Sequence, residues 1–238
     1  MKLFCITGAS RGLGAALADE LAEHALYLVS RSGCSAQFSY MQQMVGDLSR
    51  SEALDDVIQG LVRFATEAKP ESITLINNAG TVQPVKPIRD CSTAELDAAI
   101  KTNLIAPMAL TAGVLNNFRN LPLTVVNISS GAANSPYSGW GAYCAGKAGL
   151  DLFTRTVGLE ESAGQATIIS IAPGVVDTDM QAEIRSSSVD KFPELARFQR
   201  MKEEGQLLSA GLAAKNVVAF LQSASFENGG VYDTRDMA

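Results

Sequence analysis

The 238-residue sequence predicts a single α/β domain, a doubly wound, seven-stranded parallel sheet with helices on both faces. Three observations predict it. Short aliphatic or β-branched runs alternate with longer stretches of helical spacing. No linker, internal repeat or low-complexity tract divides the domain, which spans 1–238. The composition, 47% hydrophobic and 18% charged with 20 Gly and 8 Pro, supports a sizeable core and excludes a disordered, collagen-like or coiled-coil chain.

In chain order, the strands are expected at 2–7, 26–30, 41–45, 73–77, 123–129, 166–172 and 229–233. The first begins at once with Lys2-Leu3-Phe4-Cys5-Ile6-Thr7 and stops at a glycine cluster. The helices are expected near 12–24, 50–68, 92–118, 140–162 and 207–222, so right-handed crossovers would assemble one sheet. The span from Ser32 to Tyr40 is too brief for the helix usually found between a second and third strand. Residues 179–204, after the sixth strand, carry eleven charged side chains, with Phe192, Leu195, Phe198 and Met201 recurring every three positions. That pattern fits an exposed, amphipathic insertion. A solvated helix pair would show it too, but its place at the carboxyl edge of the sheet favours a lid over a ligand cleft.

A net charge of −6 opposes generic affinity for nucleic acid or anionic membranes. The longest apolar runs, such as Leu26 to Val29 and Leu123 to Val126, fall far short of the roughly 20 residues of a membrane span. The N-terminus lacks a signal-peptide layout, so a cytoplasmic location is expected. Cys5, Cys34, Cys91 and Cys144 show no CxxC spacing and His24 is the sole histidine, so free thiols and no structural zinc are expected. His24 reads as a helix-end residue and Cys144 as a packed thiol.

Thr7-Gly8-Ala9-Ser10-Arg11-Gly12-Leu13-Gly14 joins the first strand to the first helix. Glycines there allow a tight turn and a close approach to a pyrophosphate, and the helix N-terminus offers unpaired N–H groups. An ordinary glycine turn would look the same. No Gly-Lys-Ser/Thr follows, so a nucleotide-hydrolysing P-loop is disfavoured. Leu26 to Gln37 holds no Asp or Glu to bind a ribose 2′-hydroxyl. Ser30-Arg31 at the strand tip, with Arg11 in the loop, instead suits a 2′-phosphate and favours NADP over NAD, unless both arginines are merely solvated.

Tyr143 and Lys147 stand at i and i+4 on one helical face. An ammonium about 4 Å from the phenol would contribute roughly 4 kcal/mol at an effective dielectric of about 20, near 3 pKa units. That would make Tyr143 a general acid near neutral pH. Such a pair also arises by chance on helices. Ser129-Ser130 ends the fifth strand at the same edge, and a hydroxyl there can donate to a carbonyl oxygen as negative charge builds on it. Adjacent strand residues face opposite ways, and spacing selects Ser130. Pro107 has no N–H, so the Asn103 carbonyl loses its i+4 partner and is free for a water, or the helix simply kinks there. Tyr137, Trp140 and Met180 suit an aromatic, apolar substrate pocket or plain packing beneath the lid.

Together, Thr7 to Gly14, Asn77-Asn78-Ala79-Gly80, Asn103, Ser130, Tyr143, Lys147 and Pro173-Gly174 resemble the short-chain dehydrogenase/reductase family across the chain. Val126-Asn-Ile-Ser-Ser130, Gly139-Trp140, Tyr143-Cys-Ala-Gly-Lys147 and Asp177-Thr-Asp-Met-Gln181 look like its sepiapterin reductase and benzil reductase branch. The resemblance implies a Rossmann-like fold and a tetrad. Tyr143 protonates the carbonyl oxygen, Ser130 positions it, Lys147 tunes the phenol and holds the nicotinamide ribose, and Asn103 supports a relay water. It also implies that Asp47-Leu48 contacts adenine, Asn78 the cofactor ribose, and Val176 and Thr178 the carboxamide. From the residues alone, Asp47 is equally a helix cap and Asn77-Asn78 a turn. The family commonly pairs through helices corresponding to 92–118 and 140–162, which implies a homodimer or homotetramer. The expected activity is NADPH-dependent reduction of a small ketone or diketone. An NAD-linked alcohol dehydrogenase and a catalytically silent nucleotide-sensing module are the rivals.

Overall fold

Unbroken apolar runs give strands buried on both faces, which a parallel sheet needs when helices cover both sides. In the computed structural model, which describes residues 1–162, 164, 166–223 and 226–236, these runs become β1 (Leu3–Thr7), β2 (Ala25–Ser30), β3 (Met41–Val45), β4 (Ile73–Asn77), β5 (Leu123–Ile128), β6 (Ala166–Ala172) and β7 (Val231–Asp233). Every pairing is parallel, in the order β3-β2-β1-β4-β5-β6-β7, the doubly wound Rossmann-like topology. The helices are α1 (Gly12–Glu20), α2 (Ser51–Ala68), α3 (Thr93–Ile100), α4 (Ala106–Asn117), α5 (Gly141–Glu160), α6 (Asp179–Arg185), α7 (Leu195–Glu203) and α8 (Ala210–Ser223).

Period-two alternation divides the core into two layers. Leu3, Cys5, Tyr27, Leu75 and Val125 face α2 and α4, whereas Phe4, Ile6, Leu28, Ile76 and Val126 face α1 and α8. No helix lies between β2 and β3, as the brief connection requires. Several boundaries fall short of expectation, α8 beginning at Ala210 and not near 207, and two of them have a visible cause. After Glu20 the chain tightens into i→i−3 bonds, Ala22 N–H to Asp19 and His24 N–H to Leu21, so the first helix ends before residue 24. Gly229, at φ +80°, turns the backbone before the last strand, which therefore begins at Val231.

The expected helix 92–118 is three pieces. A Ser92–Glu95 capping box starts α3, a π turn spans Lys101–Ile105, and α4 completes the run. This continuous segment, Thr93–Asn117, is long and apolar enough to span a membrane, with a mean hydropathy of 1.4, although single runs in the sequence predict no such helix. Its buried face, Ala106, Leu110 and Val114, packs into the layer beneath α2, the usual place of an apolar helix in a core.

Candidate active site

The strands are parallel, so the carboxyl ends of β1, β4, β5 and β6 share one edge, and the sequence-predicted residues converge there. Gly8 and Gly12 hold positive φ, +70° and +57°. A Cβ on Gly14 would lie 2.3 Å from the Gly8 carbonyl oxygen, so only glycine lets α1 start this close to the strand. The α1 N-cap, Arg11, contributes no side-chain cap, which leaves first-turn N–H groups for a phosphate. Glycine cradle, uncapped helix and position at the sheet edge together fit a dinucleotide pyrophosphate. Ser10 is half-buried, and Leu13 is buried against the sheet beneath the cradle.

Thr7 and Asn78 brace this loop. The Thr7 hydroxyl accepts from the N–H groups of Asn78 and Ala79, each at 3.0 Å, and Asn78 Nδ2 donates to the Thr7 carbonyl at 2.9 Å. The Asn78 amide, expected beside the cofactor ribose, is thus engaged in joining β4 to the glycine loop. Across the cleft, Thr178 stands at the N-cap position of α6 without a side-chain cap, and a Cβ on Gly12 would lie 3.1 Å from its Cγ2. Val176 is buried and bridges to Leu208, and Pro173 and Gly174 turn the chain after β6, with Gly174 at φ +80°.

The arginines expected at a 2′-phosphate have carboxylate neighbours. Arg11 Nη1 donates to Asp179 Oδ2 at 2.9 Å, with both side chains about two-thirds exposed. Exposed Arg31 follows buried Ser30 and acts electrostatically on Asp47. Asp47 accepts from the N–H and hydroxyl of Ser49, and those bonds, with Arg31 and Arg50, hold its carboxyl below the usual range despite partial burial. It closes a turn before α2, whose N-cap is Arg50, so Asp47 is not the helix cap. Leu48 is buried beneath α2.

At the end of β5, Ser129 is buried and Ser130 faces the cleft. The Ser130 hydroxyl accepts from Ala132 N–H at 3.2 Å and hydrogen-bonds the Tyr143 phenol. Burial pushes the phenol's pKa up, the Ser130 bond pulls it down, and Cys144 adds a small upward push. Lys147 shares the buried face of α5 with Tyr143, as the helical spacing predicts, and its ammonium is anchored to the backbone. Its Nζ donates to the Ile128 carbonyl at 2.6 Å and lies 5.9 Å from the Tyr143 ring centroid. The buried ammonium takes a nearby carbonyl as its partner and keeps its charge beside the phenol, whose shift is led by burial and Ser130. Burial lowers the Lys147 pKa to about 8, and Asp151 opposes that.

Asn103 is wholly buried in the π turn, its side chain clamped to Thr81: Nδ2 donates to the Thr81 carbonyl at 2.8 Å and Oδ1 accepts its N–H at 2.9 Å. Pro107 cannot donate, and the helix widens instead of simply kinking, with Ala106 N–H bonding back to Lys101. A Cβ on Gly80 would lie 3.2 Å from Asn103 Oδ1 and 3.8 Å from Lys147 Nζ, so this glycine lets the two side chains meet β4's loop.

Residues 179–204 fold as α6 and α7 and are not simply an exposed insertion, because Phe192 is fully buried and Leu195 and Phe198 are 5% exposed. Trp140 stacks on Phe192 at 4.7 Å and meets Tyr143 edge-on at 5.6 Å. Trp140 therefore packs beneath this segment. Tyr137 and Met180 are partly buried at the margin of the same cluster. Lys202 and Arg185 both pair with Asp177, and Gln83 hydrogen-bonds Glu183.

Sequence reasoning missed a buried polar layer behind the site. Asp151 stands one turn beyond Lys147 and accepts from the Ser170 hydroxyl at 2.6 Å. Asn77, Asn127 and Thr154 form a chain of hydrogen bonds at 2.9 Å per link. The i+8 position of Asp151 relative to Tyr143 was the available signal. Among the described residues, no cluster of three or more His, Cys, Asp or Glu side chains is placed to hold a metal, and the four cysteines are unpaired.

A family model described as short chain dehydrogenase matches residues 2–188. The chain is 40% identical to benzil reductase ((S)-benzoin forming) of Bacillus subtilis (strain 168), over 99% of each chain. It is 36% identical to sepiapterin reductase of Meriones unguiculatus, over 97% of this chain and 95% of that one. Among solved structures, a short chain dehydrogenase/reductase from Saccharomyces cerevisiae superposes with a TM-score of 0.85 at 27% identity, covering 98% of this chain and 96% of that one.

Proposed function

The chain belongs to the short-chain dehydrogenase family, and from that membership we propose that it is an NADPH-dependent carbonyl reductase acting on a small ketone or diketone. The observation that carries this reading is the convergence of the Ser130 hydroxyl, the Tyr143 phenol and the Lys147 ammonium at the sheet edge, beside an uncapped helix N-terminus. Gly8, Gly12 and Gly14 would hold the pyrophosphate, Arg11 and Arg31 the 2′-phosphate, Asp47 and Leu48 the adenine side. Asn78, Ala79, Gly80, Lys147, Val176 and Thr178 would line the nicotinamide side. Bound NADPH supplies the hydride.

The phenol, kept protonated by burial, gives its proton to the substrate oxygen, and Ser130 donates a second hydrogen bond to that oxygen. The positive charge of Lys147 stabilises the phenolate left behind. Asn103, by fixing Thr81, holds the floor on which a relay water rests. The segment 179–204 acts as the lid, with Met180 and Tyr137 at its substrate face. Exposed surface pairs such as Arg11–Asp179 are worth about 0–1 kcal/mol, so a phosphate can displace the carboxylate. Similarity to reductases named for benzil and sepiapterin supports a carbonyl substrate. The test is to follow NADPH absorbance against a panel of diketones, pterins and aldehydes, then to compare kcat/KM for NADPH with that for NADH. Preference for NADH overturns the cofactor assignment, and no turnover with any carbonyl overturns the activity.

A further inference from the structure

The turn after β7 carries an arginine that the tetrad does not use. Arg235 is held in a forked pair by Asp233, with Nε to Oδ1 at 2.9 Å and Nη2 to Oδ2 at 2.5 Å, while its own N–H donates to the same carboxylate. This clamp fixes the plane of the guanidinium. The side chain reaches back over the site: a Cβ on Gly131, next to Ser130, would lie 3.7 Å from Arg235 Nη2. A Cβ on Gly174 would lie 3.9 Å from its Cγ, and Tyr137 is close enough to act on it electrostatically. The donor therefore stands beside the Ser130–Tyr143 pair, on the side of the expected substrate pocket, and is 60% exposed.

We propose that Arg235, oriented by Asp233, binds a second carbonyl oxygen of the substrate, adjacent to the carbonyl that is reduced, and so selects vicinal diketones. Two features support a neutral oxygen over a carboxylate. Asp233 already neutralises the guanidinium, so little net positive charge remains to hold an anion. Its Nη1 makes no hydrogen bond to another described residue, leaving a directional donor. The inference rests on the carbonyl reductase reading, because it names a residue that chooses among carbonyl substrates.

The test compares the wild type with Arg235→Met and Arg235→Lys on three compounds of one aromatic body: phenylpropanedione, its monoketone propiophenone and the keto acid phenylglyoxylate. Propiophenone is followed as a substrate or, failing turnover, as a competitive inhibitor. Loss of a hydrogen bond to a charged donor predicts that Arg235→Met lowers kcat/KM for the diketone about 10- to 100-fold, mainly through KM. Propiophenone and NADPH affinity should stay within about threefold, the scatter of a surface substitution. Arg235→Lys, which keeps the charge without the fork, should fall between the two. Equal losses for diketone and monoketone, or none for the diketone, overturn the inference while leaving carbonyl reduction standing. A loss greatest for phenylglyoxylate makes the site one for carboxylates and also overturns it. Failure of the wild type to reduce any carbonyl overturns the parent reading and this one together.

Discussion

Tyr143 is a phenol that its surroundings keep protonated, and a protonated phenol is what carbonyl reduction requires of it. Tyr143→Phe removes the transferable proton and little volume, so it should keep NADPH binding while losing carbonyl reduction by several orders of magnitude. Stopped-flow fluorescence of bound NADPH beside steady-state turnover checks this, and near-normal turnover would refute the assigned role. Arg31 stands where no acidic residue follows the second strand, so Arg31→Asp should weaken NADPH far more than NADH. Equal weakening of both cofactors would remove Arg31 from the phosphate site.

Along α5, Tyr143, Lys147 and Asp151 follow at successive turns and are all buried, so one helix sets proton donor, cation and counter-charge in register. Lys147 has a folded pKa of about 8, below its ordinary 10.5. Its charge is required in the proposed chemistry, so kcat should fall as pH rises through about 8. Asp151 holds that pKa up, so Asp151→Asn should move the falling limb to lower pH, and an unmoved limb would detach Asp151 from the reaction. The same shift has a stability consequence. Between pH 8 and 10.5 the unfolded chain binds a proton that the folded chain does not, so stability rises with pH across that window and is lower below it. Lys147→Met removes this slope, worth about 3 kcal/mol, which urea melts at several pH values would read.

Two apolar features concern the molecule as a whole. Leu152 and Leu159 on α5 are 65% and 76% exposed, and Ile105 at the end of the π turn and Met108 on α4 are also exposed. Exposed leucines on paired helices are what a homo-oligomer would bury. Leu152→Glu with Leu159→Glu should shift the protein to monomer in analytical ultracentrifugation, and an unchanged sedimentation coefficient would place any interface elsewhere. The second feature is the aromatic cluster joining α6 and α7 to Trp140. Phe192→Ala should cost about 3–5 kcal/mol if the whole domain feels the cavity. If the segment opens as a lid, KM rises while the melting temperature moves little. Thermal melts alongside kinetics separate the two.

The sequence by itself determined the sheet, the glycine cradle and the positions of Ser130, Tyr143 and Lys147, because strand runs, glycine spacing and i,i+4 placement are local patterns. It did not determine partners, since those are chosen by groups distant along the chain. Only the folded sheet brings Ile128 to Lys147, Thr81 to Asn103, Asp179 to Arg11 and Asp233–Arg235 to the rim beside Ser130. Apolar burial assembled those contacts, and burial, more than sequence neighbours, sets the protonation of the phenol and the amine.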